Sequence, residues 1–374
     1  MKQRLFLSIY AVLFMFLYGC SGAESAQMKE IYVPILGDAQ WIHEDAAFLN
    51  GVTLAVEDLN NEYGEKGFIV RTGVEDDQDI YEAGVELADK LSRDKAVTAV
   101  FNLQNFDVSN TTADMLTDSG KLVILPYGAY DALMEQDNPY IFCPFPSSTD
   151  VGKVMADYVV AKGYKRIAVY VNGTEAQDTL VSALELALQG RGAKVIDYVP
   201  VIASQNDFDR YYSRWEALSA DCIVIAQYGL ERSYEIVQMI REKNKNIPII
   251  GEAILNSASI LNEKKDLAEG LVVPSTLVLE ESEKLDQFKS RYRTQYGSMP
   301  DVWAVQGYDM MRMLVDTAVR LNTNDPMEIA AALHDEKGYS GVGRHIAFEK
   351  GGALKVDISR LPMLICRDGK FKEK

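Results

Sequence analysis

Covalent chemistry would require a nucleophile beside a base, a metal-ligand set or a phosphate loop, and the sequence offers none of these. Its three histidines, His43, His334 and His345, do not stand at metal-ligand spacing from one another. No serine lies in a Gly-x-Ser-x-Gly turn, and no Gly-Lys-Ser or Gly-Lys-Thr loop occurs. The carboxylates Glu75, Asp76 and Asp77 follow a strand-like run. Paired carboxylates can move protons, but at a strand end they read as a solvated loop or a helix start. Gly341-Val342-Gly343 reads as a hairpin turn. The expectation is a protein without catalytic residues, metal or cofactor.

The four cysteines divide into one and three. Lys2 and Arg4 precede an apolar run from Leu5 to Tyr18, which ends in Leu17-Tyr18-Gly19-Cys20. This is a secretory signal, too short to span a bilayer comfortably. Small residues before a cysteine at that point resemble a lipoprotein signal, with Cys20 the acylated residue and 20–30 a tether. Tyr18 departs from that pattern. The alternative is a plain signal peptide cut near Ala23 or Ala26. Cys143, Cys222 and Cys366 lie in apolar stretches and read as buried free thiols, although export permits one bridge.

The chemistry-poor residues must then be positioned by a large scaffold. From Cys20 onward about 355 residues remain, more than one core usually organises. The formal charge is -17, or about -19 without Lys2 and Arg4, which disfavours nucleic acid and anionic lipid as partners. Strand and helix signals alternate: Ile31–Leu36, Asn50–Asn60, Phe68–Val74, Tyr81–Leu91, Ala96–Phe101 and Leu122–Leu125. The rhythm restarts at Arg166–Val171, Thr179–Gln189, Val195–Val201, Asp207–Leu218, Asp221–Ala226, Ser233–Lys243 and Pro248–Gly251. Gly190 and Gly192 end one of these helices. Two such sets predict an α/β protein of two Rossmann-like, doubly wound lobes. Beyond Gly270 come a strand (Leu271–Pro274), helices Ser282–Tyr296, Trp303–Leu321 and Met327–Leu333, and a last strand pair, Arg344–Phe348 with Leu361–Cys366. Asp325-Pro326 caps the third of those helices. The strand-like join Tyr140–Pro146 suggests a hinge of short crossing strands.

Several segments, in order and without large gaps, resemble one family. Asn50-Gly51 with Leu54-Ala55-Val56-Glu57 and Leu59-Asn60 is similar to the first helix of the leucine/isoleucine/valine-binding family of bacterial type I solute-binding proteins. Glu75 to Gln78, Asn138 to Phe142, Gln227-Tyr228-Gly229, Gly307-Tyr308-Asp309, Gly341 to Phe348 and Asp368-Gly369-Lys370 resemble its later segments. The resemblance runs from about Ile31 to Phe371. It implies two lobes joined by three hinge strands, closing on a small ligand outside the carboxyl ends of the parallel strands. It further implies residues 31–143 with 272–345 as one lobe, and 144–271 with 346–374 as the other. The chain would act as a monomer beside an ABC permease and its ATPase.

The resemblance also places the site. In Asn102 to Asp107, where the family carries a carboxylate-binding serine, stand Gln104, Asn105 and Phe106. In Pro126 to Tyr130, Gly128 fits a family alanine and Tyr130 stands at a hydroxyl position, beside Tyr127. Trp41 resembles an aromatic cover, and Tyr228 a second-lobe contact. Glu175 follows Thr174 in a loop where the family often has tyrosine. The acid that meets an amino group falls near Ala253, one position from Glu252. A pocket of Trp41, Phe106, Tyr127, Tyr130 and Tyr228 would stack on a planar ligand. Ligand-binding expectations are therefore Trp41, Gln104, Asn105, Phe106, Tyr127, Gly128, Tyr130, Glu175, Tyr228 and Glu252. The solute would be an amino acid or a related amide or aromatic compound. A sensor of the same fold, reporting to a kinase or receptor partner without transport, is the other reading.

Overall fold

A computed structural model describes residues 28–373, apart from 173, 174 and 228. The expected signal peptide 1–19, Cys20 and most of the tether lie outside the described residues. The first described elements in chain order are β1 (Lys29–Tyr32), β2 (Ile35–Gly37), α1 (Ala39–Glu44), α2 (Ala47–Tyr63), β3 (Phe68–Arg71), β4 (Val74–Asp76) and α3 (Tyr81–Arg93). β5 (Ala99–Asn102), α4 (Phe106–Asp118), β6 (Leu122–Ile124), α5 (Asp131–Met134) and β7 (Ile141–Phe142) complete the first run. Their sheet has the order β4-β2-β5-β6-β7, and every pairing in it is parallel. β1 pairs with β3 upstream. Pro34, without an N–H to give, separates β1 from β2. The first strand thus starts at Lys29, inside the expected tether, because Lys29 already pairs with Phe68.

The second run is α6 (Ser148–Lys162), β8 (Arg166–Val171), α7 (Glu175–Leu188), β9 (Lys194–Val199), α8 (Gln205–Ala217), β10 (Cys222–Ala226), α9 (Leu230–Lys243), β11 (Ile249–Gly251), α10 (Ala258–Ala268) and β12 (Val272–Pro274). The chain then forms α11 (Glu283–Tyr296), α12 (Val302–Leu321), α13 (Pro326–Leu333), β13 (Tyr339–Ser340), β14 (His345–Ile346), β15 (Met363–Arg367) and β16 (Lys370–Glu373). The second sheet has the order β16-β15-β12-β11-β10-β8-β9, with β15 and β16 antiparallel at one end. β10 reads Cys-Ile-Val-Ile-Ala and is buried throughout, as a central parallel strand covered on both faces must be.

The two sheets divide the chain differently from residues 272 and 346. β12 lies between β11 and β15, so Val272–Pro274 belongs to the second sheet, where Leu271 and Val273 join its core. Conversely, Ile346, Phe348 and Leu354 pack into the first core. The segments expected as a final strand pair do not meet. β14 pairs with β13 around the Gly341–Arg344 turn, whereas β15 pairs with β12 and β16. Gly341-Val342-Gly343 is a hairpin turn, and buried Asp309 fixes it by accepting N–H bonds from Val342 and Gly343.

α12 returns to the first lobe and packs on α2 with the backbones in contact. A Cβ on Gly51 would lie 2.0 Å from the Ala304 carbonyl, and one on Gly307 2.3 Å from that of Phe48. This approach seats the N-terminus of α12 beside the carboxyl ends of the first lobe's strands. Cys143, Cys222 and Cys366 are free and buried. No helix among the described residues is long and apolar enough to cross a membrane.

Candidate functional site

The carboxyl ends of β2, β5 and β6 carry α1, the Asn102–Asn105 loop and the Pro126–Tyr130 loop. Asp38 caps α1 by accepting the Gln40 N–H, and Asp76 accepts that of Ala39. The short helix thereby holds Trp41 at the edge, with 38% of its surface exposed. The Trp41 ring meets Tyr127 edge-on at 5.5 Å. Tyr127 also contacts Phe48 at 5.8 Å and Trp303 at 4.3 Å. Phe145 lies parallel to Trp303, 6.0 Å between centroids. Asp301 caps α12 through the N–H groups of Trp303 and Ala304 and so sets the Trp303 ring in this corner. Desolvation by its neighbours pushes the Tyr127 phenol well above its ordinary value.

A second aromatic pair stands on the same edge. Phe106 opens α4 and meets Tyr130 edge-on at 5.5 Å. Gly128 has φ +125°, and a Cβ there would stand 3.2 Å from the Phe106 ring, so only glycine lets the loop turn beneath it. Desolvation raises the Tyr130 phenol, followed by the charges of Asp107 and Glu175. Glu175 begins α7 of the second lobe, so this influence reaches across from one lobe to the other.

Two of the expected contacts have other partners. Gln104 is buried, donates to Asp77 at 2.9 Å and accepts from Thr112 at 2.7 Å. Its amide ties the Asp77 turn that precedes α3 to Thr112 on α4. The Asn105 amide reaches the Asp79 carboxylate at 2.5 Å. Asp76 and Asp77 accept backbone N–H bonds from Gln78 and Asp79, which makes the acidic triplet a turn-former.

In the second lobe Glu252 follows β11 and is half-buried. The Gln177 amide donates to its two oxygens at 3.2 and 3.4 Å. Desolvation pushes its carboxyl up to about 7, against the lowering effect of the Gln177 and Gln227 hydrogen bonds. No lysine, arginine or histidine forms an ion pair with it among the described residues. Tyr228 lies outside the described residues.

The lobes are also tied directly. The Asp131 carboxylate, on α5 of the first lobe, accepts the N–H groups of Ser148 and Thr149 at the start of α6. Half-buried Arg344 donates to the Pro144 carbonyl and to Gln306, and Gln306 donates to the carbonyl of Pro126, directly before Tyr127. The crossing segment is thus connected to the loop that holds the ring cluster. Trp303, Phe145 and Gln177 were not anticipated. The one sequence signal for Trp303 was Asp301 two residues upstream, a helix cap that fixes where the ring points.

A model of the periplasmic binding protein family matches residues 37–356. The chain belongs to this family. It is 24% identical over 367 residues to Leu/Ile/Val-binding protein homolog 2 of Brucella abortus, covering 94% of this chain and 93% of that one. Its fold is similar to an ABC transporter substrate-binding protein from Desulfitobacterium hafniense in complex with Leu, with TM-score 0.81, 22% identity, and 92% and 100% of the two chains covered. It is also similar to a branched-chain amino acid transporter substrate binding protein from Streptococcus pneumoniae in complex with isoleucine, with TM-score 0.77, 19% identity, and 92% and 98% covered. The family is one of solute-binding proteins.

Proposed function

We propose that this protein is an exported, lipid-anchored solute-binding protein that closes on a small amine-bearing molecule and delivers it to an ABC importer. Cys20 carries the anchor, and the protein performs no covalent chemistry. Glu252 carries the ligand assignment. A half-buried carboxylate with amide donors and no cation is costly in the free protein, because burial penalises the charged form. An incoming ammonium supplies the missing charge. Trp41 and Tyr130 bound the ligand from the first lobe, and Glu175 approaches it from the second. The lobes close about the crossing segments, of which the one at Pro144 is held by Arg344, with Asp131 bridging the lobes.

Native mass spectrometry of the gently purified protein tests this reading. The expected result is a bound amine-bearing molecule that is released on denaturation and is absent from Glu252→Gln. Equal loading of both proteins would remove Glu252 from the site. Retention of Cys20→Ser on membranes would remove the anchor.

A further inference from the structure

The loops that face the ligand have a one-sided charge. Residues 37–45, 76–81, 102–107 and 125–133 of the first lobe contain no lysine or arginine. Neither do 171–180, 226–231, 251–260 and 274–282, nor 300–306 at the start of α12. The same stretches carry many carboxylates, among them Asp45, Asp107, Glu175, Glu252 and Asp301. The rest of the protein is not short of cations. The groove of about 420 Å³ beside α2, α11 and α12 contains Arg291 and Arg312, paired with Asp58 and Asp316. Arg344, at the crossing segment, is engaged by the Pro144 carbonyl and Gln306, and the strand-end loops named above carry acids without lysine or arginine. Such an arrangement focuses a negative potential into the space between the lobes.

At one corner this potential meets a wall of aromatic faces. Tyr127 lies 5.5 Å from Trp41 and 4.3 Å from Trp303, and Phe145 backs Trp303. Asp45 ends α1 with its N–H on the Trp41 carbonyl, and Asp301 caps α12 through the Trp303 and Ala304 N–H groups, so both acids flank this corner; their charges also act on the Tyr127 phenol. Desolvation pushes the Asp45 carboxyl up, and the charge of Asp301 pushes it further. Neither acid forms an ion pair among the described residues. The exposed Trp41 ring and carboxylates without an ion pair attract the same kind of ligand group, an ammonium or guanidinium.

We propose that the solute is an organic cation whose positive group is held in the corner of Trp41, Tyr127 and Trp303, against Asp45 and Asp301. This rests on the solute-binding reading above and deepens it. Glu252 takes an amine at the second-lobe end of the molecule, and the corner takes a second positive group. Basic amino acids and linear polyamines share this chemistry; branched-chain amino acids and aromatic carboxylates do not.

Titration calorimetry of the purified protein distinguishes these ligands. The probes are arginine, lysine, putrescine and spermidine, with leucine and benzoate as the uncharged-side-chain and anionic arms. At least one cation is expected to bind about tenfold or more tighter than leucine and benzoate. Arginine or lysine as the tight binder identifies a basic amino acid; putrescine or spermidine identifies a polyamine. Asp45→Asn and Asp301→Asn, the latter retaining a side chain able to cap α12, are each expected to weaken that cation about tenfold with an unchanged thermal melt. Tighter binding of leucine or benzoate than of every cation overturns the inference and leaves the solute-binding reading intact. Full cation affinity in both variants overturns the assignment to this corner. Silence from all six probes overturns the inference and counts against the solute-binding reading as well.

Discussion

The two lobes present unlike edges to the ligand. The first lobe's edge is largely satisfied by its own residues: Gln104 is spent on Asp77 and Thr112, and Tyr127 is enclosed by three rings. The second lobe's edge keeps Glu252 half-buried with no countercharge among the described residues. One edge is a prebuilt aromatic platform with Asp45 and Asp301 at its rim, and the other centres on a single half-buried carboxylate. A ligand that rests on the first completes the second, so closure and recognition of the ammonium become one event.

The largest test of this contrast is Glu252→Gln. Removing a desolvated charge partner costs roughly 2–5 kcal/mol of binding, so affinity for the amine-bearing solute falls about a hundredfold. The free protein moves the other way. Glutamine fills the same volume, keeps one acceptor for Gln177 and discards the buried charge. At pH 8 the variant is expected to be about 1–3 kcal/mol more stable than wild type, read from chemical denaturation. A variant that is both weaker in binding and less stable would show that Glu252 is a structural residue.

A pH series sharpens the same point with a smaller effect. Glu252 titrates near 7 in the folded protein and in the ordinary carboxyl range when unfolded. Between those values the folded state holds a proton that the unfolded state has lost. Stability therefore falls as pH rises through that window and levels off above it. Affinity for an ammonium runs oppositely, weakening by up to about tenfold per unit below pH 7, because the bound carboxyl must be ionised. Glu252→Gln should abolish the affinity slope. Part of the stability slope should survive in the variant, since burial also raises Asp309 to about 6. Parallel slopes of affinity and stability would contradict the assignment.

How much of this was legible follows the range of the interactions. Helix caps are local, so Asp325-Pro326 announced its helix, and apolar runs such as Cys222–Ala226 announced buried strands. Strand partners are not local. Arg344–Phe348 and Leu361–Cys366 both look like strands, but which sheet each joins depends on residues far away, and they join different ones. The site shows the same division. The family resemblance put Trp41, Phe106, Tyr130 and Glu252 forward as candidate contacts. The sequence could not tell that the Gln104 amide turns inward to a buried aspartate, or that the distant Trp303 would pack against Tyr127 at a tilt of 42°.

The smallest effect concerns the exposed member of the platform. Trp41 and Tyr127 touch, but Tyr127 also packs against Phe48 of the first core, while Trp41 keeps 38% of its surface free. Trp41→Ala removes a ring that covers the ligand in the proposed function and supports little else. The expected loss is about 1 kcal/mol of binding, or roughly fivefold in Kd, by calorimetry, with the melting temperature nearly unchanged. Tyr127→Ala opens a cavity among Trp41, Phe48 and Trp303 and should cost stability before it costs affinity, about 2–4 kcal/mol by denaturant titration. If Trp41→Ala instead lowers the melt as far as Tyr127→Ala does, the exposed ring is part of the core. The first lobe's edge would then be a continuation of its interior and not a surface prepared for a ligand.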